Sequence, residues 1–335
     1  MEFNREQLER ITRFETMMEE AEALLRIHPR SAAQTERLRT LVRALETYYT
    51  GDDWKRDFAD DEAGLLPKDL KRGVLSEDGI DDLLEAFSEL TTDRFTIMDD
   101  GIPLSAVLER PEAASCPLVI YLHGFTSSKD RPHAVASCEA MREAGFATLR
   151  FDLYGHGDSG GEFRAHTLFK WISNTLAVIR YARSLDFVTE LWLSGHSQGG
   201  LVAALVGGMA PDLIRGLILR APAFLIPRCA REGNMLGVRF DPVRIPDAIS
   251  TIKDLTLDGD YLRVAQTIHV EDAIDRFPGP VLLLHGDADQ EIPVQDSVLA
   301  ARRYSNCKLV ILPGETHHFD QSPNEMKEAI RRFCM

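Results

Sequence analysis

From residue 92 to the end of the chain, short apolar runs alternate with stretches of helical composition, and this alternation constrains the fold more than any other feature. Such runs are typical of parallel strands that helices cover on both faces of a sheet. The pattern therefore predicts an α/β fold with a doubly wound, mostly parallel sheet. The expected strands are 117–122, 147–153, 190–194, 214–219, 280–284 and 308–312, and the expected helices are 131–144, 165–184, 198–209, 294–304 and 323–334.

Two segments depart from this alternation. Asp100-Gly101, between two strand-like runs, predicts a hairpin at the start of the sheet. Residues 223–276 separate two expected strands by far more than an ordinary connection. We therefore expect an inserted cap at 223–276 rather than a plain loop.

The N-terminal part of the chain has a different character. Residues 1–93 hold 23 acidic and 13 basic side chains, a net charge of −10, against 30 and 25, or −5, in the rest. Apolar residues at three- and four-residue spacing predict helices, with Asn4, Ser31 and Ser76 as N-caps. We expect an acidic helical domain at 1–91, whose aromatic residues fill its core, and a catalytic domain at 92–335. The alternative is that these aromatics form a surface for another subunit or protein.

The amino-acid composition limits which kinds of binding partner and which cellular compartment are expected. The net charge of −15 disfavours nucleic acid, because binding to phosphates needs local positive charge. The five cysteines include no Cys-x-x-Cys pair and fit free thiols in a reducing cytoplasm. The N-terminus lacks an apolar run, and no later run reaches a membrane-spanning length. We therefore expect a cytoplasmic protein with no membrane span and no nucleic-acid partner.

One motif indicates chemistry. Gly195-His196-Ser197-Gln198-Gly199 follows the expected strand 190–194 and precedes an expected helix. A serine at a tight strand-to-helix turn projects its hydroxyl above the sheet, and flanking glycines let the two elements approach closely. Ser197 is therefore the expected nucleophile, and the alternative is a turn serine without a chemical role.

A serine hydroxyl needs a base to take its proton and an acid to orient that base. With the serine at such a turn, the acid follows it in the chain and the base comes last. Beyond the expected acid only His317 and His318 are available, in the loop that starts at Gly314. We favour His317, at the third position after this glycine, and keep His318 as the alternative.

The acid is expected in the loop after strand 280–284, where three carboxylates compete. We favour Asp289, because it lies past Gly286 and before the proline that starts the next expected helix. Asp287 and Glu291 are then expected to be solvated loop charges.

Attack on a carbonyl builds negative charge on its oxygen, and fixed backbone N–H groups stabilise that charge. One donor is expected from Gln198, directly after the nucleophile. The other is expected from Phe125 in His123-Gly124-Phe125-Thr126, where Gly124 permits a tight backbone path. We expect His123 to be a packed, hydrogen-bonded loop residue.

Two other readings of the motifs concern cofactors. Gly155-His156-Gly157-Asp158-Ser159-Gly160 matches the dinucleotide pattern Gly-x-Gly-x-x-Gly, but residues 176–180, where a second strand and its acid are needed, have helical composition. A metal site is the other alternative, since several residues of suitable type lie close in sequence. These are His285, Asp287, Asp289, His317 and His318. We expect neither site and no cofactor, because the proposed triad already accounts for the functional residues.

Several motifs occur together along the chain. They are His123-Gly124-Phe125-Thr126, Arg150–Ser159, Gly195–Gly200, Ala221-Pro222-Ala223, Ile245-Pro246-Asp247 and Tyr261–Gln266. On these motifs, residues from about 94 to 334 resemble an α/β-hydrolase, and within that superfamily the bacterial cinnamoyl and feruloyl esterases. The resemblance implies Ser197, Asp289 and His317 as the triad, Phe125 and Gln198 as oxyanion donors, and Tyr261 in the cap facing the acyl group. The N-terminal helical segment resembles a small bacterial helical domain family of unknown function, particularly at Tyr48-Tyr49, Trp54 and residues 66–76.

The cap departs from the family pattern in one respect. The family commonly offers an Asp and a Gln to the phenolic hydroxyl of the aromatic acid, and our alignment places Cys229 and Leu236 there. Neither side chain makes a strong polar contact. We therefore expect a serine carboxylic-ester hydrolase whose specificity is shifted toward less polar acyl groups.

Other classes of function stay open. A monoacylglycerol lipase or a serine peptidase would share the triad and differ in the cap. An interaction protein would act through the helical domain, by self-association or by binding another protein. A non-catalytic binding module would carry a vestigial triad.

Overall fold

A computed structural model describes residues 4–27, 31–91, 93–251 and 255–335. The chain forms two compact units, Met1–Thr92 and Asp93–Met335. Residue 92, at the expected domain boundary, and residues 252–254, in the expected cap, lie outside the described residues.

The first unit is all-helical. It contains α1 (Arg5–Leu25), α2 (Ala32–Tyr49), α3 (Asp52–Glu62) and α4 (Glu77–Thr91), with a 3-10 turn at Gly73–Leu75. The N-caps expected at Asn4, Ser31 and Ser76 are confirmed, because each side chain accepts a backbone N–H of the first helical turn. At Ser31 the bonding is reciprocal, since the Gln34 side chain accepts the Ser31 backbone N–H.

The aromatic residues of this unit contribute to its core, as expected. Tyr48 and Trp54 are buried, and the rings of Phe14 and Tyr48 stack at 3.9 Å. Asp57 on α3 is fully buried and accepts hydrogen bonds from Arg10 on α1 and from the Tyr48 hydroxyl on α2. Burial raises the pKa of Asp57, but these donors outweigh burial and hold the pKa below its ordinary value. The carboxylate thus ties three helices together.

The second unit is a layered α/β structure. Its strands are β1 (Asp93–Asp99), β2 (Ile102–Glu109), β3 (Cys116–Leu122), β4 (Ala147–Phe151), β5 (Val188–His196), β6 (Gly216–Arg220), β7 (Asn234–Met235), β8 (Val238–Arg239), β9 (Ala248–Ser250), β10 (Thr256–Asp258), β11 (Val281–Gly286) and β12 (Cys307–Leu312). Its helices are α5 (Pro132–Glu143), α6 (Leu168–Arg183), α7 (Gln198–Met209), α8 (Ile226–Glu232), α9 (Gly259–Thr267), α10 (Val270–Arg276), α11 (Val294–Arg303) and α12 (Pro323–Cys334), with a 3-10 turn at Phe163–Ala165.

Eight strands form one sheet in the order β1-β2-β4-β3-β5-β6-β11-β12. The pairings of β2 with its two neighbours are antiparallel, and the remaining pairings are parallel. Alternate residues of β3 show that both faces are covered. Leu118 and Ile120 pack in the cluster that includes α6 and α7, whereas Val119 and Tyr121 pack in the cluster of α5 and α12. The predicted doubly wound, mostly parallel α/β class is confirmed.

The strand boundaries differ from expectation at the edge where the strands end. β5 runs on to His196 and β11 to Gly286, so each strand extends to the loop that carries an expected site residue. The hairpin expected at Asp100-Gly101 is confirmed, because both residues have positive φ, 47° and 82°, between β1 and β2.

The segment between β6 and β11 leaves the sheet. It holds α8, the two-stranded sheets β7-β8 and β9-β10, and then α9 and α10. α8 packs on α9, whereas α10 packs on α7, so the last part of the expected 223–276 insertion lies within the helical layer. In the chain ranges that the structure describes, no helix is long and apolar enough to cross a membrane.

Candidate active site

Four of the expected site residues, Phe125, Ser197, Asp289 and His317, lie at one edge of the sheet. β3, β5, β11 and β12 run parallel to one another, and each of the four residues follows the carboxyl end of one of them. The carboxyl ends of parallel strands form the usual ligand-binding edge of an open α/β sheet. The topology therefore gathers residues that are up to about 190 positions apart in the chain.

Ser197 occupies the sharp turn between β5 and α7. Its backbone has φ of 54° and ψ of −121°, a strained conformation for a non-glycine residue, and its N–H donates to the carbonyl of Arg220 at 2.9 Å. The flanking glycines are required by space. A Cβ at Gly195 would lie 2.4 Å from the Gly199 oxygen, and a Cβ at Gly199 would lie 2.3 Å from the Leu122 oxygen.

His317 is buried in the loop after β12, where its Nδ1 lies 2.8 Å from Oδ2 of Asp289. The neighbouring His318 is exposed, and its Nε2 lies 3.6 Å from Glu291. Asp287 is also exposed. The structure therefore brings together His317 and Asp289, and it places their sequence alternatives in solvent.

The Asp289 carboxylate is held from several sides. Its Oδ1 accepts the backbone N–H groups of Glu291 at 2.8 Å and Ile292 at 2.9 Å. Burial raises the pKa of this carboxyl, but hydrogen bonds from His285, His317 and the Ile292 backbone outweigh burial and hold the pKa below its ordinary value. Asp289 is therefore ionised at neutral pH and can orient the His317 ring.

Glu315, in the loop that carries His317, is a structural residue that no sequence motif indicated. Its carboxylate is fully buried and accepts the backbone N–H groups of Thr316 at 2.9 Å, Gln321 at 3.1 Å and Ser322 at 2.6 Å. His196 adds a bond from Nε2 to the His317 carbonyl at 2.8 Å. These bonds fix the backbone on both sides of the His317 ring.

A cavity of about 1150 Å³ opens in front of Ser197 and His317. Phe125 and Gln198, the expected oxyanion donors, both line it. The wall from the segment after β6 is mostly apolar, whereas the wall near His317 combines polar and apolar side chains. The first wall includes Ala223, Leu225, Ile226, Cys229, Met235 and Leu236, and the second includes Arg131, His133, Gln290, Glu291, His318 and Asp320 together with Pro132, Ile292, Phe319 and Met326.

Tyr261 also lines the cavity, on α9. Its side chain is buried, and its hydroxyl donates a hydrogen bond of 2.7 Å to Oε1 of Gln198. The resemblance implied that Tyr261 faces the acyl group, and the structure adds a contact with Gln198, the residue that follows Ser197. The phenol therefore links α9 to the turn at Ser197.

Replacing Tyr261 by phenylalanine is expected to lower kcat/KM about tenfold. The side-chain amide oxygen of Gln198 then loses its hydrogen-bond donor, and the turn at Ser197 is held less firmly. Steady-state kinetics on a chromogenic ester measures the effect. Tyr304→Phe is the matched control, since Tyr304 is buried and its hydroxyl has no partner among the described residues. Equal kinetics for both variants would contradict a role for the Tyr261 hydroxyl.

The loop at 155–160 is closed on itself by a bond from the Gly155 N–H to the Gly160 carbonyl. Residues 176–180 lie inside α6, so no second strand carries a dinucleotide acid there. His123 is buried, with Nδ1 2.8 Å from the Gly124 oxygen and Nε2 accepting the Leu153 N–H. In the described part of the chain, no group of three or more His, Cys, Asp or Glu side chains is arranged to hold a metal ion.

Comparison with known proteins finds a family match in each of the two units. Residues 113–248 match the hydrolase family described as serine aminopeptidase, S33, and residues 11–97 match a domain of unknown function, DUF4298. The solved structure of Est1E from Butyrivibrio proteoclasticus with ferulic acid bound is 48% identical, with a TM-score of 0.70, and the match covers 71% of this chain and 97% of that chain.

Two curated proteins are more distant relatives. A monoacylglycerol lipase of Mycolicibacterium smegmatis is 24% identical over 64% of this chain and 86% of its own length. ABHD12B of Homo sapiens is 25% identical over 60% of this chain, and the match spans only 56% of that relative. Because the match covers 97% of Est1E at 48% identity with a TM-score of 0.70, the chain belongs to the α/β-hydrolase superfamily, and its second unit is a serine hydrolase of the esterase and lipase type.

Proposed function

We propose that the second unit hydrolyses carboxylic esters through an acyl-enzyme intermediate on Ser197. The observation that carries the proposal is the His317 ring, which Asp289 holds at the edge of the cavity that also contains Ser197. With Nδ1 bound to the carboxylate, Nε2 is the nitrogen that accepts a proton. No metal or organic cofactor enters the proposed reaction.

In the first half-reaction, His317 takes the proton of the Ser197 hydroxyl while the oxygen attacks the ester carbonyl. The backbone N–H groups of Phe125 and Gln198 stabilise the negative charge on the carbonyl oxygen. His317 then returns the proton to the departing alcohol. In the second half-reaction, water attacks the acyl-enzyme by the same route, and the carboxylic acid leaves.

The apolar wall of the cavity supports a preference for acyl groups that lack a hydroxyl at the far end. Cys229 is half-buried and Leu236 is apolar, and both line this wall. Burial raises the pKa of the Cys229 thiol, so the side chain stays neutral at neutral pH. A phenolic hydroxyl placed here would lose its water without gaining a strong partner.

A monoacylglycerol lipase is the second candidate. The wall of aliphatic side chains and the size of the cavity, about 1150 Å³, suit a fatty acyl chain as well as an aromatic one. The relative from Mycolicibacterium smegmatis carries that activity in its name. Monoglycerides therefore belong in the same assay as aromatic esters.

The test is a panel of methyl ferulate, methyl cinnamate, p-nitrophenyl butyrate and a monoglyceride. We expect the wild type to have a higher kcat/KM for methyl cinnamate than for methyl ferulate. Cys229→Asp combined with Leu236→Gln is expected to shift this ratio toward ferulate by about tenfold or more, because it supplies partners for the hydroxyl. Cys229→Ser is the control without a carboxylate.

A clear wild-type preference for methyl ferulate would contradict the proposed specificity. A monoglyceride as the best substrate by a wide margin would favour the lipase. Absence of hydrolysis across the panel, with the protein folded, would count against the ester hydrolase itself.

A further inference from the structure

His285, on β11, is fully buried beside Asp289. Its Nε2 lies 3.0 Å from the carbonyl oxygen of Ile292 and 3.3 Å from Oδ2 of Asp289. A carbonyl and an ionised carboxylate only accept hydrogen bonds, so Nε2 carries a hydrogen and donates it to this pair. In the neutral ring, Nδ1 is then an acceptor.

Ser297, on α11, supplies the donor for that acceptor. It is fully buried, and its Oγ lies 2.7 Å from Nδ1 of His285. Its hydroxyl therefore selects the tautomer that carries the hydrogen on Nε2. The hydrogen bonds run from Ser297 through His285 to Asp289, whose Oδ2 also accepts Nδ1 of His317 at 2.8 Å.

We propose that His285 and Ser297 are positioning residues for the reaction, because they hold Asp289 and share the negative charge of the oxygen that faces His317. The proposal rests on the function proposed above. Neither residue is among those that line the cavity in the described part of the chain, so both act through Asp289.

The arrangement has a consequence for pH dependence. When the His285 donor is lost, the charge on Oδ2 concentrates on His317 and stabilises its protonated form. Hydrolysis requires neutral His317. The acid limb of the pH profile, which is the fall of kcat/KM at low pH, is therefore expected to move to higher pH in such a variant.

Other ionisable groups surround the His317 ring and are left in place by the substitutions. Burial, and then the Arg220 guanidinium, hold the pKa of His196 well below its ordinary value. His196 therefore stays neutral over the pH range of the kcat/KM profile. Burial, and then the Arg220 guanidinium, lower the pKa of His133 to about 3. The rings of His196 and His318 lie 4.7 Å and 5.5 Å from that of His317. The His133 ring lies 4.9 Å from that of His196 at a tilted angle, and Glu291 faces His318.

The experiment compares pH profiles of kcat/KM for the full chain and for His285→Leu, His285→Gln and Ser297→Ala. For His285→Leu we expect kcat to fall about tenfold or more, KM to change less than about twofold, and the acid limb to rise by about half a pH unit. Ser297→Ala is expected to change kcat and the limb in the same direction and by less. His285→Gln is expected to restore most of the activity, because its amide offers an N–H near the same place.

Ser137→Ala is the matched control. Ser137 is a fully buried helical serine whose hydroxyl donates to the His133 carbonyl at 2.8 Å, without contact to Asp289. It is expected to leave the acid limb unchanged. The same shift in Ser137→Ala would overturn the proposal.

If His285→Leu folds and shows the wild-type kcat and the wild-type acid limb of kcat/KM, the proposal is also overturned. If His285→Leu does not fold, Ser297→Ala decides by the same two criteria. Full activity of Ser197→Ala would reject the underlying function, whereas its inactivity with unchanged limbs in His285→Leu and Ser297→Ala would reject the positioning role alone.

Discussion

Replacing Ser197 by alanine is expected to lower kcat for ester hydrolysis by about 10⁴-fold or more, because the variant lacks the oxygen that forms the acyl-enzyme. The fold is expected to persist, since Ser197 is held by backbone bonds that alanine keeps. Two measurements check this: steady-state kinetics on the ester panel, and labelling with a fluorophosphonate probe followed by peptide mapping. The probe is expected on Ser197 of the wild type and nowhere on the variant.

Ser194→Ala is the matched control for this result. Ser194 lies on β5, the strand that leads into the turn at Ser197. It is fully buried, and its hydroxyl has no partner among the described residues. It is expected to keep activity and labelling within about twofold of the wild type. Activity of Ser197→Ala within tenfold of the wild type, or probe attached to another residue, would show that the nucleophile lies elsewhere.

Replacing Asp289 by asparagine is expected to lower kcat by about 10³- to 10⁴-fold. The amide oxygen can still accept the Glu291 and Ile292 N–H groups, but the other position no longer carries a negative charge for Nδ1 of His317. The ring then loses both its orientation and the partner of its protonated form. Asp287→Asn, in the same loop but exposed, is the control and is expected to keep kcat within about twofold.

The same variant links Asp289 to stability. The folded state holds the pKa of Asp289 below the ordinary value of 3.8, so the carboxylate stabilises the fold above that value and loses this contribution as the pH falls through the depressed pKa. The difference in Tm between the wild type and Asp289→Asn is therefore expected to be largest near neutral pH and to narrow toward pH 3. A kcat near that of the wild type, or a Tm difference that widens on acidification, would contradict this account of Asp289.

Local sequence patterns predicted much of the fold because their physical causes are local. Strand and helix periods follow from backbone geometry, and a cap such as Ser31 acts within one helical turn. The predicted sheet class and hairpin are therefore confirmed. The limits of β5 and β11 were less predictable, because a strand ends where its neighbours stop pairing.

The same distinction between local sequence patterns and tertiary contacts applies to the site. Chain order and the glycines around Ser197 predicted Ser197 and His317, which line one cavity, and Asp289, which contacts His317. Glu315 and His285 have no local pattern that reveals their contacts, since each is defined by atoms that only folding brings close. The bond from Tyr261 to Gln198 joins residues 63 positions apart and is likewise invisible to periodicity.

By itself, the sequence determined the class of the sheet, and it predicted the two-part organisation of the chain and a short set of residues for acyl transfer. Only the tertiary structure decided that His317 and not His318 contacts Asp289, what surrounds that carboxylate, and that one wall of the cavity is mostly apolar. The physical reason is the distance along the chain over which each effect acts. Periodicity and capping act over a few residues, whereas burial, hydrogen bonding and pKa depend on every group that the fold brings within a few ångströms.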